Sequence, residues 1–213
     1  DIFLEMWNET TKQHVKGAAY HPQFSGDTAI FDKSIAIVDR APRIRSKEMR
    51  KTYAASIRSA QHCIQIVNPY FVPTHSIREA LKDALARGVK VEIMISSKSD
   101  IPFTPEATFY LAHKLMKRGA NIYLFNKGFH HSKIMMVDSL YCTVGSANLN
   151  SRSLRYDYET NAFIFSKQTT KELSDLFEKD KKGSILLTPQ RWKERSNWNK
   201  FLGWFANLLT PFI

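Results

Sequence analysis

Hydrophobic positions from residue 47 onward alternate between helical and strand-like spacing. Residues 47–62 carry apolar side chains at positions 49, 53, 57 and 60, which is the spacing of one helical face. Two further helices are predicted over 74–88 and 104–119, because each begins with a capping threonine or an early proline and ends at a glycine. The amphipathic pattern of residues 169–180 predicts a closing helix.

Short runs rich in β-branched and aromatic residues lie between these helices and predict strands. The runs are CIQIVNPYF (63–71), VKVEIMIS (89–96), ANIYLF (120–125), KIMMVD (133–138), LYCTVG (140–145) and YETNAFIF (158–165). Strands that alternate with helices of this length are typical of an α/β fold. We therefore predict a mixed β-sheet flanked by helices on both faces.

The first 40 residues do not begin such a unit cleanly. Their start, DIFLEMWNET, is similar to ELSDLFEKDK at 172–181 in the order of its acidic and bulky apolar residues. This similarity predicts that residues 1–40 are the tail of a preceding, related domain followed by a linker. Residues 41–185 are then the α/β domain, and residues 186–213 are an amphipathic, aromatic tail.

The tail from residue 192 to 213 contains three of the four tryptophans, three phenylalanines and several basic residues. Aromatic and apolar side chains with basic neighbours are typical of a helix that lies in a membrane interface. A helix that packs on its own domain, or on another half of the protein, is the alternative interpretation.

The formal net charge of the 213 residues is +11, which predicts attraction to polyanions or to anionic lipid headgroups. Charge alone does not distinguish a nucleic acid from a membrane. No apolar run approaches the roughly 20 residues that are needed to cross a bilayer. The start, DIFLEMWNET, lacks the basic and apolar pattern of a signal peptide.

Residues His131, Lys133 and Asp138 form the pattern H-x-K-x(4)-D. On a strand, the first two would point to one side and could address one anion together. A neutral imidazole is a competent nucleophile towards phosphorus, and a lysine beside it would neutralise the charge of the transition state. A solvent-facing strand would carry the same short pattern, so the residues that follow are decisive.

A G-S-x-N turn at 145–148 follows, and it offers the Ser146 hydroxyl, the Asn148 amide and backbone N–H groups to phosphate oxygens. Glu159 then lies early in an apolar strand, where burial disfavours a carboxylate without a partner. A carboxylate that accepts the proton of one histidine nitrogen would fix the tautomer and raise the nucleophilicity of the other nitrogen.

H-x-K-x(4)-D followed by G-S-x-N, R-S and E-x-N resembles the signature of the phospholipase D superfamily over residues 47–180. The chain is most similar to the C-terminal half of bacterial cardiolipin synthases, in NPYFVP (68–73), in GSANLNSRSLRYDYETNAF (145–163) and in the tail. The resemblance implies that His131 is the nucleophile or its partner acid. It implies that Lys133, Ser146 and Asn148 bind phosphate, and that Glu159 orients the histidine.

Asp138 belongs to the signature, but we interpret it as a structural residue at the strand end. The neighbouring histidine, His130, is expected to face the other side of the strand in a packing role. Tyr70 and Phe71 either line a path for the lipid or pack in the core.

The mechanism that the resemblance implies needs neither a metal nor another cofactor. A histidine attacks the phosphodiester, a phosphohistidine forms, and an acceptor hydroxyl then takes the phosphatidyl group. In a cardiolipin synthase, two phosphatidylglycerols would give cardiolipin and glycerol. The expected partners are this anionic phospholipid and a membrane surface, and the expected location is the bacterial cell membrane.

That mechanism uses two histidines, but among the seven histidines only His131 begins an H-x-K-x(4)-D motif. Either a missing N-terminal half or a second copy of the chain would supply the other motif. We expect the former, in which case the chain alone is possibly inactive as an enzyme. The second hypothesis is a homodimeric, single-motif phosphodiesterase or nuclease that acts on DNA, which we favour less because it leaves the aromatic tail unexplained.

Overall fold

The computed structural model describes residues 2–21, 33–42, 47–98 and 104–208. The chain divides into two compact units, Asp1–Asp32 and Lys33–Ile213. In the first unit, helix α1 (Ile2–Thr11) is followed by a single 3₁₀ turn at Ala18–Tyr20. The amide of Asn8 holds the segment after α1, because it both donates to and accepts from the backbone of Val15 at 3.0 and 2.8 Å.

The second unit is built on one eight-stranded sheet with the strand order β1-β7-β6-β5-β2-β3-β4-β8. The strands are β1 (Ser34–Arg40), β2 (Cys63–Val67), β3 (Lys90–Ser96), β4 (Asn121–Phe125), β5 (Ile134–Val137), β6 (Tyr141–Gly145), β7 (Glu159–Phe165) and β8 (Ile185–Leu186). The helices of this unit are α2 (Glu48–Ser59), α3 (His75–Ala86), α4 (Thr104–Met116), α5 (Ser151–Arg155), α6 (Lys167–Lys182), α7 (Pro189–Glu194) and α8 (Asn197–Leu208).

The sheet is mixed. Strands β2, β3 and β4 run parallel to one another, whereas β2 pairs antiparallel with β5, and β5, β6, β7 and β1 continue antiparallel. The parallel strands are joined through α3 and α4, as a parallel crossover requires. The predicted α/β class with a mixed sheet is confirmed.

Alternation along the central strands sends side chains to two separate cores. Ile64 and Ile66 of β2 join a large core with residues of α2, α3 and α4. Val67 of β2 and Met94 of β3 instead pack with Phe177 of α6 on the opposite face. Helices therefore cover both faces of the sheet, as the sequence predicts.

A buried ion pair holds α6 on its face of the sheet. Glu92 of β3 is almost fully buried, and its carboxylate lies 2.7 Å from the ammonium of Lys181 and 3.0 Å from that of Lys90. Burial opposes ionisation of Glu92, but the hydrogen bonds from the two lysines lower its pKa nonetheless. The basic end of α6 is thus tied to the sheet.

The edge strand β1 comes from the segment that the sequence analysis assigned to a preceding tail and linker. It pairs antiparallel with β7 over its full length, from Ser34 opposite Phe165 to Arg40 opposite Glu159. The seven residues before position 41 thus lie in the sheet of the second unit.

Helix α8 of the aromatic tail packs along α4. Gly203 and Ala206 are buried in this contact, and a side chain at position 203 would come within 2.7 Å of the Glu106 carbonyl oxygen. The opposite side of α8 exposes large apolar side chains, namely Trp198, Phe201, Trp204, Phe205 and Leu208. Within the described ranges, no helix combines the length and apolarity that crossing a membrane requires.

Candidate active site

The register of four strands brings the sequence-predicted residues to one edge of the sheet. Val67 of β2 pairs with Ile134 of β5, and Ile134 pairs with Val144 of β6. Because β5 is antiparallel to both neighbours, Asn68 after β2, Lys133 before β5 and Gly145 at the end of β6 lie side by side. Gly145 pairs in turn with Asn161. We call this end of β2, β5, β6 and β7 the site edge.

Lys133 lies at the site edge, directly before β5. Its side chain is buried, and its ammonium donates to the carbonyl oxygen of His131 at 2.6 Å. The backbone N–H of Gly145 donates to the Lys133 carbonyl at 3.3 Å and ties the G-S-x-N turn to it. The motif residues were expected on a strand, but both precede the first strand residue, Ile134.

The imidazole of His131 is exposed and contacts two aromatic rings. The Tyr70 ring meets it edge to face at 5.9 Å between centroids, and the Phe129 ring lies tilted at 5.1 Å. Tyr70 is itself buried and contacts Phe129 at 6.1 Å. Tyr70 thus borders the site edge, whereas Phe71 lies in the large core.

Ser146 and Glu159 are joined at the site edge. The Ser146 hydroxyl donates to the Glu159 carboxylate, and it accepts the backbone N–H of Thr160 at 3.0 Å. Glu159 is buried at the first position of β7. The serine thus provides a hydrogen bond of the kind that a buried carboxylate needs.

Asn148 lies in the loop between β6 and α5. Its Nδ2 donates to Ser153 Oγ at 3.4 Å, while its Oδ1 is buried and has no hydrogen-bond partner among the described residues. Because the Ser153 hydroxyl can donate as well as accept, a flip of the amide preserves this bond. The flip would offer Nδ2, a donor, at the position of Oδ1, where it could bind an anion.

Two buried asparagines hold the backbone of the G-S-x-N turn. Asn161 Oδ1 accepts the N–H of Ala147 at 3.2 Å, and Asn68 Oδ1 accepts the N–H of Leu149 at 3.3 Å. Asn161 Nδ2 donates to the Tyr53 hydroxyl at 2.9 Å. These positioning residues were not singled out from the sequence, although a fully buried asparagine within an apolar strand is the signal that marks Asn161.

Gly145 is needed because Asn161 lies against it. An added Cβ at position 145 would come within 2.4 Å of both the Asn161 side chain and the Thr160 carbonyl oxygen. Since backbone atoms cannot retreat as a flexible side chain can, only glycine allows the turn to approach β7 so closely.

Asp138 lies at the other end of β5, away from the site edge. Its carboxylate accepts the backbone N–H groups of Gln61 at 2.7 Å and of His62 and Cys63 at 2.8 Å. Burial works against the charged form, but these three bonds hold the pKa of Asp138 below its usual range. The structure thus places Asp138 where it stabilises the connection between α2 and β2.

His130 is separate from the site edge as well. Its Nε2 lies 3.1 Å from the Asp180 carboxylate of α6, and its ring meets Phe125 at 4.8 Å. Helix α6 covers the face of the sheet opposite the large core, so His130 and His131 contact different parts of the molecule.

The arrangement at the site edge suits the binding and attack of a phosphate ester. A buried ammonium, a hydroxyl, an amide and an exposed imidazole come from two loops, the one before β5 and the one after β6, that the sheet brings together. Positive charge and hydrogen-bond donors that are held in place in a partly buried site stabilise developing negative charge more effectively than water does.

Comparison with known proteins agrees with this arrangement. A profile of the family described as "Cardiolipin synthase, PLD-like domain" matches residues 53–181. Cardiolipin synthase of Listeria monocytogenes serotype 4a (strain HCC23) is 37% identical over 213 residues, which are 99% of this chain and 44% of that protein. Cardiolipin synthase 1 of Staphylococcus epidermidis (strain ATCC 12228 / FDA PCI 1200) is 37% identical over 219 residues, covering 99% of this chain and 43% of the relative.

Solved structures share the fold. The phosphatidylserine synthase of Haemophilus influenzae Rd KW20 superposes with a TM-score of 0.67 at 16% identity, over 90% of this chain and 51% of that one. Nuc, a phospholipase D family member from Salmonella typhimurium, superposes with a TM-score of 0.63 at 18% identity, over 73% and 99% of the two chains.

The chain spans less than half the length of the curated relatives that it matches. The matched profile covers more than half of the chain and includes every residue of the site edge. The chain therefore belongs to the family of cardiolipin synthase, PLD-like domains.

Proposed function

We propose that this chain supplies one half of the active site of a phosphatidyltransferase that joins two phosphatidylglycerols into cardiolipin and glycerol. The observation that carries the proposal is the meeting of His131, Lys133 and the G-S-x-N turn at one sheet edge, in a chain 37% identical to cardiolipin synthases over 213 residues. Residues 41–185 would be the phospholipase D-like catalytic domain.

In the first step, an imidazole nitrogen attacks the phosphorus of one phosphatidylglycerol, and the bond from phosphorus to the glycerol headgroup breaks. A phosphohistidine forms, and a second histidine donates the proton that the departing glycerol takes up. Lys133, Ser146 and Asn148 would bind the non-bridging oxygens. Glu159 would orient the attacking histidine.

In the second step, a hydroxyl of another phosphatidylglycerol attacks the phosphohistidine. The second histidine, now neutral, accepts the hydroxyl proton, and the N–P bond breaks to release cardiolipin. Atoms and charge balance without a metal. His131 fills one of the two histidine roles, and the other histidine would come from a missing N-terminal half or from a second copy of the chain.

The exposed side of α8 would bring this site to the cell membrane. The rings of Trp198 and Trp204 each lie 5.8 Å from that of Phe201, so the aromatic side chains form one continuous surface. The basic residue Lys200 lies one helical turn before Trp204 on the same helix, which suits an anionic lipid surface. Trp198→Ser with Trp204→Ser should lower sedimentation with phosphatidylglycerol vesicles several-fold, whereas Leu176→Ser, an exposed apolar position on α6, should not.

The transfer reaction is tested in the protein expressed from its complete coding sequence. His131→Ala should lower cardiolipin formation from phosphatidylglycerol vesicles by about 10³-fold or more, since the covalent step is lost. His14→Ala, at an exposed histidine of the first unit, is the matched control. Undiminished synthesis by the His131 variant would contradict the proposal, and cleavage of DNA without lipid transfer would support a nuclease instead.

A further inference from the structure

A cavity of about 430 Å³ lies between α2, the first turn of α3 and the end of α5. Five cationic side chains line it, namely Lys47, Arg50, Lys51, Arg58 and Arg155, and none of the described lining residues carries a carboxylate. Three of the five, Arg50, Lys51 and Arg58, belong to α2, and Lys51 and Arg58 lie two helical turns apart on one face, which concentrates positive charge there. We call this space the cationic cavity.

Two other arginines of this unit have carboxylate partners. Arg152 lies 3.1 Å from Asp157, and Arg195 binds Glu106. Neither Arg50 nor Arg155 forms an ion pair with any described residue. Burial, and then the charges of Arg155 and Arg40, lower the pKa of Arg50, so these positive charges lie close enough to repel one another.

One buried donor without a partner among the described residues and the first turn of a helix also belong to this lining. The Nε of Arg155 is buried and has no hydrogen-bond partner in the described part of the chain. Thr74, the N-cap of the 12-residue helix α3, makes no capping hydrogen bond with its side chain, and it lines the cavity with His75 and Ser76. The first turn of a helix is the positive end of its dipole and has free backbone N–H groups.

A second cavity, of about 390 Å³, shares Lys47, Arg50 and Arg155 with the first and extends to Arg40. In the strand register, Arg40 of β1 lies directly opposite Glu159 of β7. The second cavity therefore reaches the end of the sheet that carries the site edge, but His131 and Lys133 line neither cavity.

We propose that the cationic cavity is an anion-binding site for a phosphate group, in addition to the phosphate site at His131 and Lys133. The fork of guanidinium N–H groups on Arg50 and Arg155 matches the oxygens of a phosphate, and the first turn of α3 adds further donors. Among the described residues of the lining, Ala54 is the one with a wholly apolar side chain, and the other eight are cationic or polar. The phosphate is either free or carried by a lipid headgroup.

The site is tested by calorimetric titration of the chain with inorganic phosphate. Lys133→Gln serves as the background, because it removes the buried cation of the other phosphate site. Phosphate should still bind to this variant. Adding Arg50→Gln and Arg155→Gln should raise the Kd for phosphate at least about tenfold, which corresponds to about 1.4 kcal/mol.

Arg118→Gln in the same background is the control, since Arg118 is exposed at the end of α4 and lines neither cavity. It should leave the Kd unchanged. Arg155→Lys retains the charge without the planar fork, so it should weaken binding by less than Arg155→Gln while keeping the fold. A Kd for phosphate that is unchanged in the Arg50 and Arg155 variants overturns the site.

Binding to lipid vesicles distinguishes a headgroup phosphate from free phosphate. If a headgroup occupies the cavity, Arg50→Gln and Arg155→Gln should weaken binding to phosphatidylglycerol vesicles relative to Arg118→Gln, with phosphatidylcholine vesicles as the blank. If only free phosphate binds, the vesicle affinity of these variants should equal that of the control while their phosphate affinity still falls. The outcome does not depend on transfer activity, because both experiments measure binding.

Discussion

The imidazole of His131 and the phenol ring of Tyr70 meet edge to face, with their centroids 5.9 Å apart. Tyr70 is buried, so its ring is a firm support for an exposed histidine. Phe129 contacts both rings and completes a three-ring cluster. A residue in the loop after β2 thereby limits the orientations that the histidine can adopt.

Tyr70→Ala should therefore lower cardiolipin formation about 10- to 100-fold, because a misplaced reactive group loses much of its advantage in proximity. Tyr70→Phe keeps the ring and should retain most of the activity. Both variants are compared in initial-rate assays with phosphatidylglycerol vesicles, after circular dichroism has established that they are folded. Full activity in a folded Tyr70→Ala protein would show that the ring contact does not position His131.

Gly145→Ala should disrupt the turn that carries Ser146. The new Cβ would lie 2.4 Å from Asn161 and from the Thr160 carbonyl oxygen, so β6 and β7 would have to separate. We expect a loss of about 1–3 kcal/mol in the free energy of unfolding, together with loss of transfer activity.

The matched control is Gly128→Ala, where an added Cβ meets nothing within 4 Å and no positive φ is required. Urea denaturation of both variants measures the difference. Equal stability of the two would contradict the close approach at position 145.

Asp138→Asn should destabilise the fold without a direct effect on the chemical step. The Asp138 carboxylate accepts three backbone N–H groups. Asparagine tolerates the φ of 51° at this position, so the variant measures the contribution of the negative charge alone. Replacement should cost about 1–3 kcal/mol at pH 7.

The lowered pKa of Asp138 determines the pH dependence of this difference. A carboxyl group whose folded pKa lies below the unfolded value of 3.8 stabilises the fold above that pH and loses its contribution below it. The gap between wild type and Asp138→Asn should be constant from neutral pH down to about pH 5 and should shrink below about pH 4. A gap that widens in acid would rule out this role.

His113 should make the attachment of the tail sensitive to acid. Its ring stacks on Trp192 of α7 at 3.9 Å. Burial, followed by the charges of Lys117 and Lys200, lowers the pKa of His113 from 6.5 to about 4. Because the unfolded chain binds the proton more readily, stability should fall as the pH drops from 6.5 towards 4.

His113→Phe removes the titrating group and keeps a ring against Trp192. Tryptophan fluorescence and thermal unfolding between pH 7 and pH 4 should change less in this variant than in the wild type. Identical acid profiles would show that another group controls the attachment.

Much of the fold follows from local patterns. Long periodic segments such as α3, which ends beside a glycine with φ of 83°, are specified by neighbours in sequence. The short elements are different. The five residues of α5 and the two of β8 are too short to show a period, so neither was predicted, and the Asn150 cap and the pairing with β4 define them instead.

The candidate site residues also divide into features that the motif spacing predicts and features that only the fold decides. The spacing of His131, Lys133 and Ser146 predicts a phosphate site, and the structure brings all three to the same end of two adjacent antiparallel strands. The motif placed Asp138 at the strand end, but it could not show that the carboxylate accepts the backbone N–H groups of Gln61, His62 and Cys63, since those residues are about 75 positions away in sequence.

By itself, the sequence determined the α/β class, the family signature and the likeness of the tail to a membrane-interface helix, since each depends on spacing along the chain. Only the tertiary structure decided that Asn68 and Asn161 hold the turn, and that Arg50 and Arg155 share a cavity. It also showed that α8 packs on α4 through Gly203 while its aromatic side stays exposed. These relationships join residues that are distant in sequence, from the 14 positions between Ala147 and Asn161 to the 105 between Arg50 and Arg155, and such contacts form only when the sheet and its helices close around a common core.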